Sequence, residues 1–270
     1  MLGAIIGDIV GSIYEFSNIK TKDFPFFTEK KEFTDDSVLT VATADWLLSG
    51  GKPAPFYANY ASKHSYPMGG YGNSFARWAI TVERMGIAKP YNSCGNGSAM
   101  RIAPVGWAFE TEAETLDAAK FSAECTHNHP EGIKGAQATA LCIFLARNGV
   151  PAATIKSRIE TEFGYDLSLS VDEIRPRYSW DGLDGMISGE LCQGSVPQAI
   201  ICALEATDFE DAVRNAISIG GDSDTIGCIT GGIAEALFGI PGAIRERGMQ
   251  YLSAQLREVV EKFEAMYGCK

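Results

Sequence analysis

The chain has 270 residues, of which 46% are hydrophobic, and its 34 acidic and 23 basic side chains give a net charge of −11. The apolar share is enough for a sizeable buried core, and no apolar run approaches the roughly 20 residues that span a bilayer. The acidic balance argues against a nucleic-acid-binding protein, because neutralising phosphates requires clustered Lys and Arg.

The first predicted element is a helix over residues 2–16. One face of it carries four apolar side chains: Ile5, Ile9, Ile13 and Phe16. A second stripe has glycine at every fourth position: Gly3, Gly7 and Gly11. Glycine is costly inside a helix, so this stripe indicates that another backbone packs very close. Asp8 and Glu15 are nearly two helical turns apart, so both carboxylates project from the same side.

Helical patterns dominate the rest of the chain. Thr34 is predicted to cap a helix over residues 35–48, with acids in its first turn and Gly50 after its end. Further helices are predicted at 55–64, 73–86 and 112–124, from Pro130 to Asn148, and at 152–162, 196–206, 208–218, 225–238 and 242–266. Alternating strand patterns are nearly absent, and the best of them is 167–171. The sequence therefore predicts an all-α fold.

No linker, repeat or low-complexity segment divides the chain, so residues 1–270 are predicted to form a single domain. Residues 166–194 carry few helix signals, and such a long irregular stretch in a helical domain is a candidate lid. The seven cysteines include no Cys-x-x-Cys pair, which is typical of a reducing compartment. The first residues lack the basic region of a signal peptide, so we expect a cytoplasmic protein that does not associate with membranes.

Two short segments concentrate oxygen-bearing side chains where a loop meets a helix: Thr34-Asp35-Asp36 and Gly220-Gly221-Asp222-Ser223-Asp224-Thr225. Carboxylates and hydroxyls without His or Cys suit Mg²⁺, Mn²⁺ or Ca²⁺ and not Zn²⁺. Asp and Thr before a helix are also ordinary caps, and that alternative accounts well for the first segment. The second segment offers four acceptors where one cap needs one, which favours a cation site.

Two further stretches are rich in polar loop residues. The run from Asn92 to Arg101 spaces its glycines so that backbone N–H groups can face a phosphate, although a turn is the ordinary explanation. It lacks a Walker lysine, so nucleotide hydrolysis by that route is not indicated. His127 and His129 have no partner at zinc-binding spacing, and a helix-entry turn before Pro130 is the alternative to a binding role.

Taken in order, these segments resemble the motifs of the ADP-ribosylglycohydrolase family, which includes the dinitrogenase reductase-activating glycohydrolase. The resemblance spans residues 3–241 and rests on five motifs: Gly7 to Glu15, Thr34-Asp35-Asp36, Gly95-Asn96-Gly97-Ser98-Ala99-Met100-Arg101, Thr126-His127 and Gly220 to Thr225. It implies a single-domain orthogonal helical bundle with a dinuclear metal centre in a cleft. It also implies two divalent cations, Mg²⁺ or Mn²⁺, held by Thr34, Asp35, Asp36, Asp222, Asp224 and Thr225.

The resemblance further implies a metal-dependent hydrolase that cleaves the glycosidic bond between ADP-ribose and an attached protein side chain or small conjugate. Such cleavage passes through an oxocarbenium-like state and needs an activated water and a protonated leaving group. We expect Asp35 or Asp36 to act near the anomeric carbon, and Glu15 to serve as a general acid/base or a further metal ligand. A surface or capping carboxylate is the alternative for Glu15.

Substrate contacts are expected from one loop, one histidine and one helix start. The loop is expected to hold the diphosphate and His127 the nucleotide, and the loop residues in this role are Gly95, Asn96, Gly97, Ser98 and Met100. Gly194 and Ser195 open the helix predicted at 196–206 and are a second diphosphate candidate, since helix N-termini bind anions.

We expect a monomer that acts on an ADP-ribosylated protein or a small ADP-ribose conjugate. Arginine, serine, acetyl and small guanidine leaving groups all stay open. A non-catalytic protein that binds ADP-ribose or metal is one alternative function, and a metal-dependent phosphoesterase is another, since paired ions also serve phosphate-ester hydrolysis.

Overall fold

The computed structural model describes residues 1–268, so the last two residues of the predicted domain, Cys269 among them, lie outside the described residues. The described chain is mostly helical, with one sheet of two short antiparallel strands, β1 (Tyr178–Ser179) and β2 (Gly182–Leu183). The helices are α1 (Leu2–Gly11), α2 (Asp35–Ser49), α3 (Pro53–Lys63), α4 (Asn73–Met85), α5 (Gly97–Met100), α6 (Val105–Ala108), α7 (Glu112–Glu124), α8 (Pro130–Arg147), α9 (Ala152–Phe163), α10 (Val171–Ile174), α11 (Cys192–Leu204), α12 (Phe209–Ile219), α13 (Ser223–Phe238), α14 (Gly242–Gln250) and α15 (Ala254–Tyr267). The all-α prediction is confirmed.

Helix α13 is buried along almost its whole length and packs against α1, α8, α11 and α12. Its contact with α1 is a glycine seam, formed by the glycine stripe of α1 and by Gly227 and Gly231 of α13. A Cβ added at Gly7 would lie only 1.9 Å from the Gly227 carbonyl oxygen, and one at Gly3 would lie 2.3 Å from that of Gly231. The predicted close approach of a second backbone is therefore confirmed.

The glycine seam joins segments that are far apart in the sequence. The Gly3 N–H donates to Glu235 Oε2 at 2.9 Å, across a separation of 232 residues. Every residue of α1 is buried, so this helix lies inside the core. Within residues 1–268, no helix is both long enough and apolar enough to cross a bilayer.

The first helix is shorter than predicted. It ends at Gly11 and continues as a 3₁₀ turn at Ser12–Tyr14, so the predicted apolar face stops after Ile9. Phe16 is 74% exposed and stacks on Trp180, with ring centroids 5.8 Å apart and planes 6° apart. The prediction that Phe16 belongs to the apolar face of this helix is wrong, because the chain leaves the helix before that residue.

The structure differs from the sequence analysis at three other places. Helix α11 begins at Cys192, four residues before the predicted start at 196. The helix predicted at 242–266 is two helices, because Ser253 accepts a hydrogen bond from the Leu256 N–H and caps α15. The alternating pattern at 167–171 does not form a strand, because Ser170 forms a capping box with Glu173 and starts α10 there. By contrast, α7 has its predicted bounds.

Candidate active site

Three acids from the two ends of the chain meet beside the glycine seam. Glu15, Asp222 and Asp224 each offer a carboxylate oxygen within 4.8 Å of the other two. Glu15 follows the 3₁₀ turn after α1, while Asp222 and Asp224 lie at the start of α13. Both aspartates are buried and Glu15 is half-buried. We call these three residues the acid triad.

The acid triad is electrostatically unfavourable without a cation. Burial, followed by the charges of Asp224 and Asp8, raises the pKa of Glu15 to about 8. Burial raises the pKa of Asp222 to about 6 and that of Asp224 well above its usual value. Three carboxyls that all resist ionisation in one place have the charge balance of a site for a positive ion.

Thr34, Asp35 and Asp36 lie at the start of α2, beside the acid triad. Thr34 is the predicted cap, since its hydroxyl accepts a hydrogen bond from the Asp36 N–H at 3.1 Å. Asp36 is buried and Asp35 is half-buried. Burial, then the charge of Asp224, raises the pKa of both Asp35 and Asp36. The two predicted acidic segments are therefore brought together, although the tight oxygen contacts lie within the acid triad.

The donor atoms fit a hard divalent cation. Three buried carboxylate oxygens of these two segments and Glu15 have no hydrogen-bond partner among residues 1–268: Glu15 Oε2, Asp36 Oδ2 and Asp224 Oδ1. A buried ionised oxygen without a partner is costly, and a bound cation removes that cost. Asp222 occupies the N-cap position of α13, yet its side chain makes no capping hydrogen bond. The capping alternative therefore holds for Thr34 and fails for Asp222.

Asp8 has a different environment from the acid triad. Its carboxylate accepts hydrogen bonds from the Thr34 N–H at 3.0 Å, the Thr34 hydroxyl at 2.7 Å, the Ser37 N–H at 3.1 Å and the Ser37 hydroxyl. Burial still raises the pKa of Asp8, to about 6, although these four donors oppose the shift. Asp8 fastens the start of α2 to α1, a role that the sequence did not indicate.

Asn96, predicted in the diphosphate loop, points to the acid triad. Its amide nitrogen donates to Asp222 Oδ2 at 2.7 Å and to the Gly189 carbonyl at 3.3 Å. The Asn96 N–H donates to the Glu190 carbonyl at 2.9 Å. Asn96 thus orients Asp222 and joins the loop to residues 189–190 of the predicted lid segment.

Much of the predicted loop is engaged within the protein. The Gly95 N–H donates to Ser93 Oγ at 3.1 Å, and the Ser98 hydroxyl donates to the Gly132 carbonyl at 2.7 Å. Residues from Gly97 onward form the short helix α5, not an extended loop. The predicted set of free backbone donors is therefore smaller than the motif indicates.

Met100 and Thr225 lie behind the acid triad. Met100 is buried, and its carbonyl accepts hydrogen bonds from Thr40 Oγ1 and Cys228 Sγ. The Thr225 hydroxyl is directed at Met100 Sδ, 4.0 Å away. Met100 therefore packs against α2 and α13, and Thr225 is in the first turn of α13 among the predicted ligands.

His127 is buried under the glycine loop. A Cβ added at Gly97 would lie 3.0 Å from His127 Nε2, and one at Gly95 would lie 3.7 Å from it. His127 Nδ1 lies 2.7 Å from the Thr126 hydroxyl. His129, in contrast, accepts a hydrogen bond from the Glu131 N–H and caps α8, so the helix-entry alternative is confirmed for that histidine.

Gly194 and Ser195 are inside the first turn of α11. Both of their N–H groups donate to the Leu191 carbonyl, at 2.9 and 3.0 Å, and the Ser195 hydroxyl donates to the same oxygen. These two N–H groups were the predicted donors to a diphosphate at the helix start, and both already have the Leu191 carbonyl as their hydrogen-bond partner. The Cys192 N–H bonds instead to the Cys94 carbonyl at 3.0 Å, a contact between distant segments that the sequence does not reveal.

The segment 166–194 flanks the acid triad. Trp180 Nε1 donates to the Glu15 carbonyl at 2.9 Å, beside the Phe16 ring on which Trp180 stacks. A Cβ added at Gly221 would lie 2.4 Å from Tyr178 Cε1, so the chain before Asp222 is covered by β1. The irregular segment therefore forms one wall of the candidate site.

The chain is similar to known ADP-ribosylhydrolases. The family model described as ADP-ribosylglycohydrolase matches residues 1–268. The chain is 28% identical to the ADP-ribosylhydrolase ARH3 of Danio rerio, over 77% of this chain and 70% of that protein. It is 26% identical to the ADP-ribosylarginine hydrolase Tri1 of Pseudomonas putida, over 90% of this chain and 70% of that protein.

A solved structure has a similar fold. It is titled ADP-ribosylglycohydrolase-related protein complex and superposes with a TM-score of 0.68, covering 98% of this chain and 97% of that one. The sequence identity between the two chains is 23%, so this likeness concerns the fold.

Proposed function

Because the chain belongs to the ADP-ribosylglycohydrolase family and is an ADP-ribosylhydrolase, we propose that the acid triad and the start of α2 form its catalytic centre. The observation that carries this proposal is the set of three buried carboxylate oxygens without partners, Glu15 Oε2, Asp36 Oδ2 and Asp224 Oδ1. The family is metal-dependent, and an oxygen-only donor set fits that requirement.

We propose that two divalent cations, Mg²⁺ or Mn²⁺, are held by Thr34, Asp35, Asp36, Asp222, Asp224 and Thr225. Bound there, such ions would orient the hydroxyls of the distal ribose and would lower the pKa of a water molecule. Glu15 is the seventh candidate ligand, because one of its oxygens belongs to the acid triad.

We assign the remaining catalytic tasks to Asp35 and Glu15 from the exposure of their side chains. Asp35 keeps more exposure than Asp36, so Asp35 is the better placed of the two to act near the anomeric carbon. Glu15 is the half-buried member of the acid triad, and in the metal-free protein its pKa is raised to about 8, so a Glu15 that binds no cation holds its proton at neutral pH. Glu15 is therefore our candidate for giving a proton to the departing group.

The ADP part is assigned to the neighbouring loop. His127 lies directly under Gly95 and Gly97, whose missing side chains leave room above the imidazole. The diphosphate is proposed to lie along this loop, with Asn96 at the junction between loop and acid triad. Ser98 and Met100 are assigned a supporting role, since Ser98 holds α8 and Met100 is in the core.

The substrate is proposed to be an ADP-ribosylated protein or a small ADP-ribose conjugate. The relatives include proteins named for ADP-ribosylarginine and others named only as ADP-ribosylhydrolases, so the panel of test substrates spans both nitrogen- and oxygen-linked groups. All proposed ligands come from one chain, and we propose that residues 1–270 act as one domain and as a monomer.

The test is a hydrolysis panel of ADP-ribosyl-arginine, ADP-ribosyl-serine peptide and O-acetyl-ADP-ribose with Mg²⁺, in which free ADP-ribose is detected. We expect release from at least one member, abolished by EDTA and restored by Mg²⁺ or Mn²⁺. Release of AMP or inorganic phosphate, with the ribose link intact, would identify a phosphoesterase instead. Metal binding without any release would identify a binding protein.

A further inference from the structure

Asn18 joins the segment that carries Glu15 to the turn before Asp222. Its amide nitrogen lies 2.7 Å from the Tyr14 carbonyl, 3.0 Å from the Glu15 carbonyl and 2.8 Å from the Gly221 carbonyl. Its amide oxygen accepts a hydrogen bond from the Gly221 N–H at 2.7 Å. The nitrogen faces carbonyls and the oxygen faces an N–H, so all these contacts agree with one orientation of the carboxamide. One side chain thus joins two segments that are 203 residues apart.

Lys20 makes a second connection to the same turn. Its Nζ donates to the Ile219 carbonyl and, at 2.5 Å, to the Tyr178 carbonyl of β1. A Cβ added at Gly220 would lie 3.1 Å from Lys20 Nζ and 3.1 Å from Asn18 Oδ1, so both side chains lie against this glycine. The two side chains therefore hold the turn together.

The carboxylate of Glu15 depends on its backbone for its position. Glu15 Oε2 is buried and has no hydrogen-bond partner among residues 1–268. The regular helix does not continue through Glu15, since the 3₁₀ turn ends at Tyr14. The Glu15 carbonyl is held instead by two side chains, Asn18 Nδ2 at 3.0 Å and Trp180 Nε1 at 2.9 Å. The place of this carboxylate in the acid triad therefore depends on contacts made by its backbone.

We propose that Asn18 is a positioning residue that holds Glu15 beside Asp222 and Asp224, so that the acid triad is assembled before a cation binds. The role of the acid triad itself rests on the proposed function. The carbonyl contacts of Asn18 fix the Glu15 side of the acid triad, and its bond with the Gly221 N–H fixes the side of Asp222. Because Asn18 is neutral, losing these contacts lets Glu15 move relative to the two aspartates without removing a charge from the site.

Two variants separate the two halves of this contact. Asn18→Leu has a similar size and removes both the donor and the acceptor. Asn18→Asp keeps the acceptor for the Gly221 N–H and removes the donor to the Tyr14 and Glu15 carbonyls. Because Asn18 is exposed, neither change empties the core, and urea denaturation checks that each variant folds. Asn59→Leu, at an exposed position of α3, is the matched control.

The first measurement is amide hydrogen exchange at Gly221 in the metal-free protein. We expect faster exchange in Asn18→Leu, because the Gly221 N–H loses its acceptor, and exchange at the wild-type rate in Asn18→Asp and Asn59→Leu. Exchange at the wild-type rate in Asn18→Leu would show that Asn18 does not hold the turn, and the proposal would be wrong. This measurement needs neither a bound metal nor turnover.

The second measurement is a double-mutant cycle with Glu15→Gln, followed by kcat and by the calorimetric affinity for Mn²⁺. With Glu15 present, both Asn18 variants should lower kcat about tenfold and change KM less than about twofold, because a small displacement of a reacting group costs rate more than binding. With Glu15→Gln, neither variant should cause a further loss, because the effect of Asn18 passes through Glu15. The Mn²⁺ affinity gives the same comparison without turnover. Equal losses in both backgrounds would indicate a merely structural role and overturn the proposal.

Failure of the proposed function has a different signature. If the wild-type protein and Asp224→Asn bound Mn²⁺ equally well, the acid triad would not be the metal site, whatever the exchange at Gly221 showed. If Asp224→Asn lost Mn²⁺ binding and turnover while Asn18→Leu kept both, the proposed function would stand and the role of Asn18 would be wrong.

Discussion

Asp8 and the acid triad both place buried carboxylates beside the glycine seam, but they differ in their partners. Asp8 accepts four hydrogen bonds from Thr34 and Ser37, so its oxygens are fully engaged by the protein. In the acid triad, Glu15 Oε2 and Asp224 Oδ1 have none among the described residues. Sequence spacing put Asp8 and Glu15 on one side of one helix, and the structure gives them different hydrogen-bond environments.

The difference teaches how to separate structural from functional carboxylates in this protein. Burial alone does not distinguish them, because it raises the pKa of Asp8 and of Glu15 alike. The number of hydrogen-bond donors to each carboxylate does distinguish them. A carboxylate supplied with donors is stabilised by the fold, whereas a buried one without donors is stabilised only when a cation binds to it.

The largest expected effect comes from the acid triad. Asp224→Asn should reduce turnover by at least about 10³-fold, since metal stabilisation of transition-state charge amounts to several kcal/mol and each 1.4 kcal/mol is tenfold. The unfolding transition should remain cooperative. The measurements are ADP-ribose release and urea denaturation, with the exposed Asp117→Asn on α7 as the control. Turnover at the wild-type rate in Asp224→Asn would remove the acid triad from the mechanism.

The main expected effect of Asp8→Asn is a loss of stability. The amide nitrogen would face donors from Thr34 and Ser37, and losing a charged acceptor there should lower the unfolding free energy by about 2–4 kcal/mol. Urea denaturation of the metal-free protein measures this directly. If Asp8→Asn kept full stability and lost activity as completely as Asp224→Asn, the contrast between the two regions would be wrong.

The smallest expected effect is the pH dependence of the metal-free protein. The folded-state pKa of Glu15 is raised from 4.5 to about 8, so the folded state binds its proton more tightly than the unfolded chain. Stability from that proton is complete below pH 4.5 and is lost as the pH rises toward 8. In EDTA, the melting temperature should fall by roughly a few °C between pH 6 and pH 8. Added Mg²⁺ should raise the melting temperature more at pH 8 than at pH 6. An equal rise at both pH values would contradict the predicted direction of the pH dependence.

The sequence predicted what depends on neighbours within a few residues. The predicted bounds of α7 agree with the structure, in which Thr111 and Glu114 form a capping box within one turn. The glycine stripe predicted a close backbone contact, although its partner on α13 lies more than 200 residues away. The oxygen-rich segments, 34–36 and 220–225, indicated a cation site for the same reason, because each cluster lies within a few consecutive residues.

The sequence missed what depends on distant partners. Helix α11 starts at Cys192, where its first N–H reaches Cys94, and no local signal marks that start. The Asn96 side chain donates to Asp222, a contact across 126 residues that no local signal indicates. The split between Asp8 and Glu15 was hidden for the same reason, because the donors to Asp8 belong to α2.

The glycine seam also bears on how the chain folds. It pairs the segment around Gly3 with the segment around Glu235, so nearly the whole chain must be looped before α1 gains its packing partner. Closing so long a loop costs entropy before any contact compensates for it, which makes such a pairing a slow, late event. The acid triad cannot assemble earlier, and its carboxylates begin to repel one another at that moment. Divalent ions present during refolding should therefore speed the last step of folding, not the first collapse.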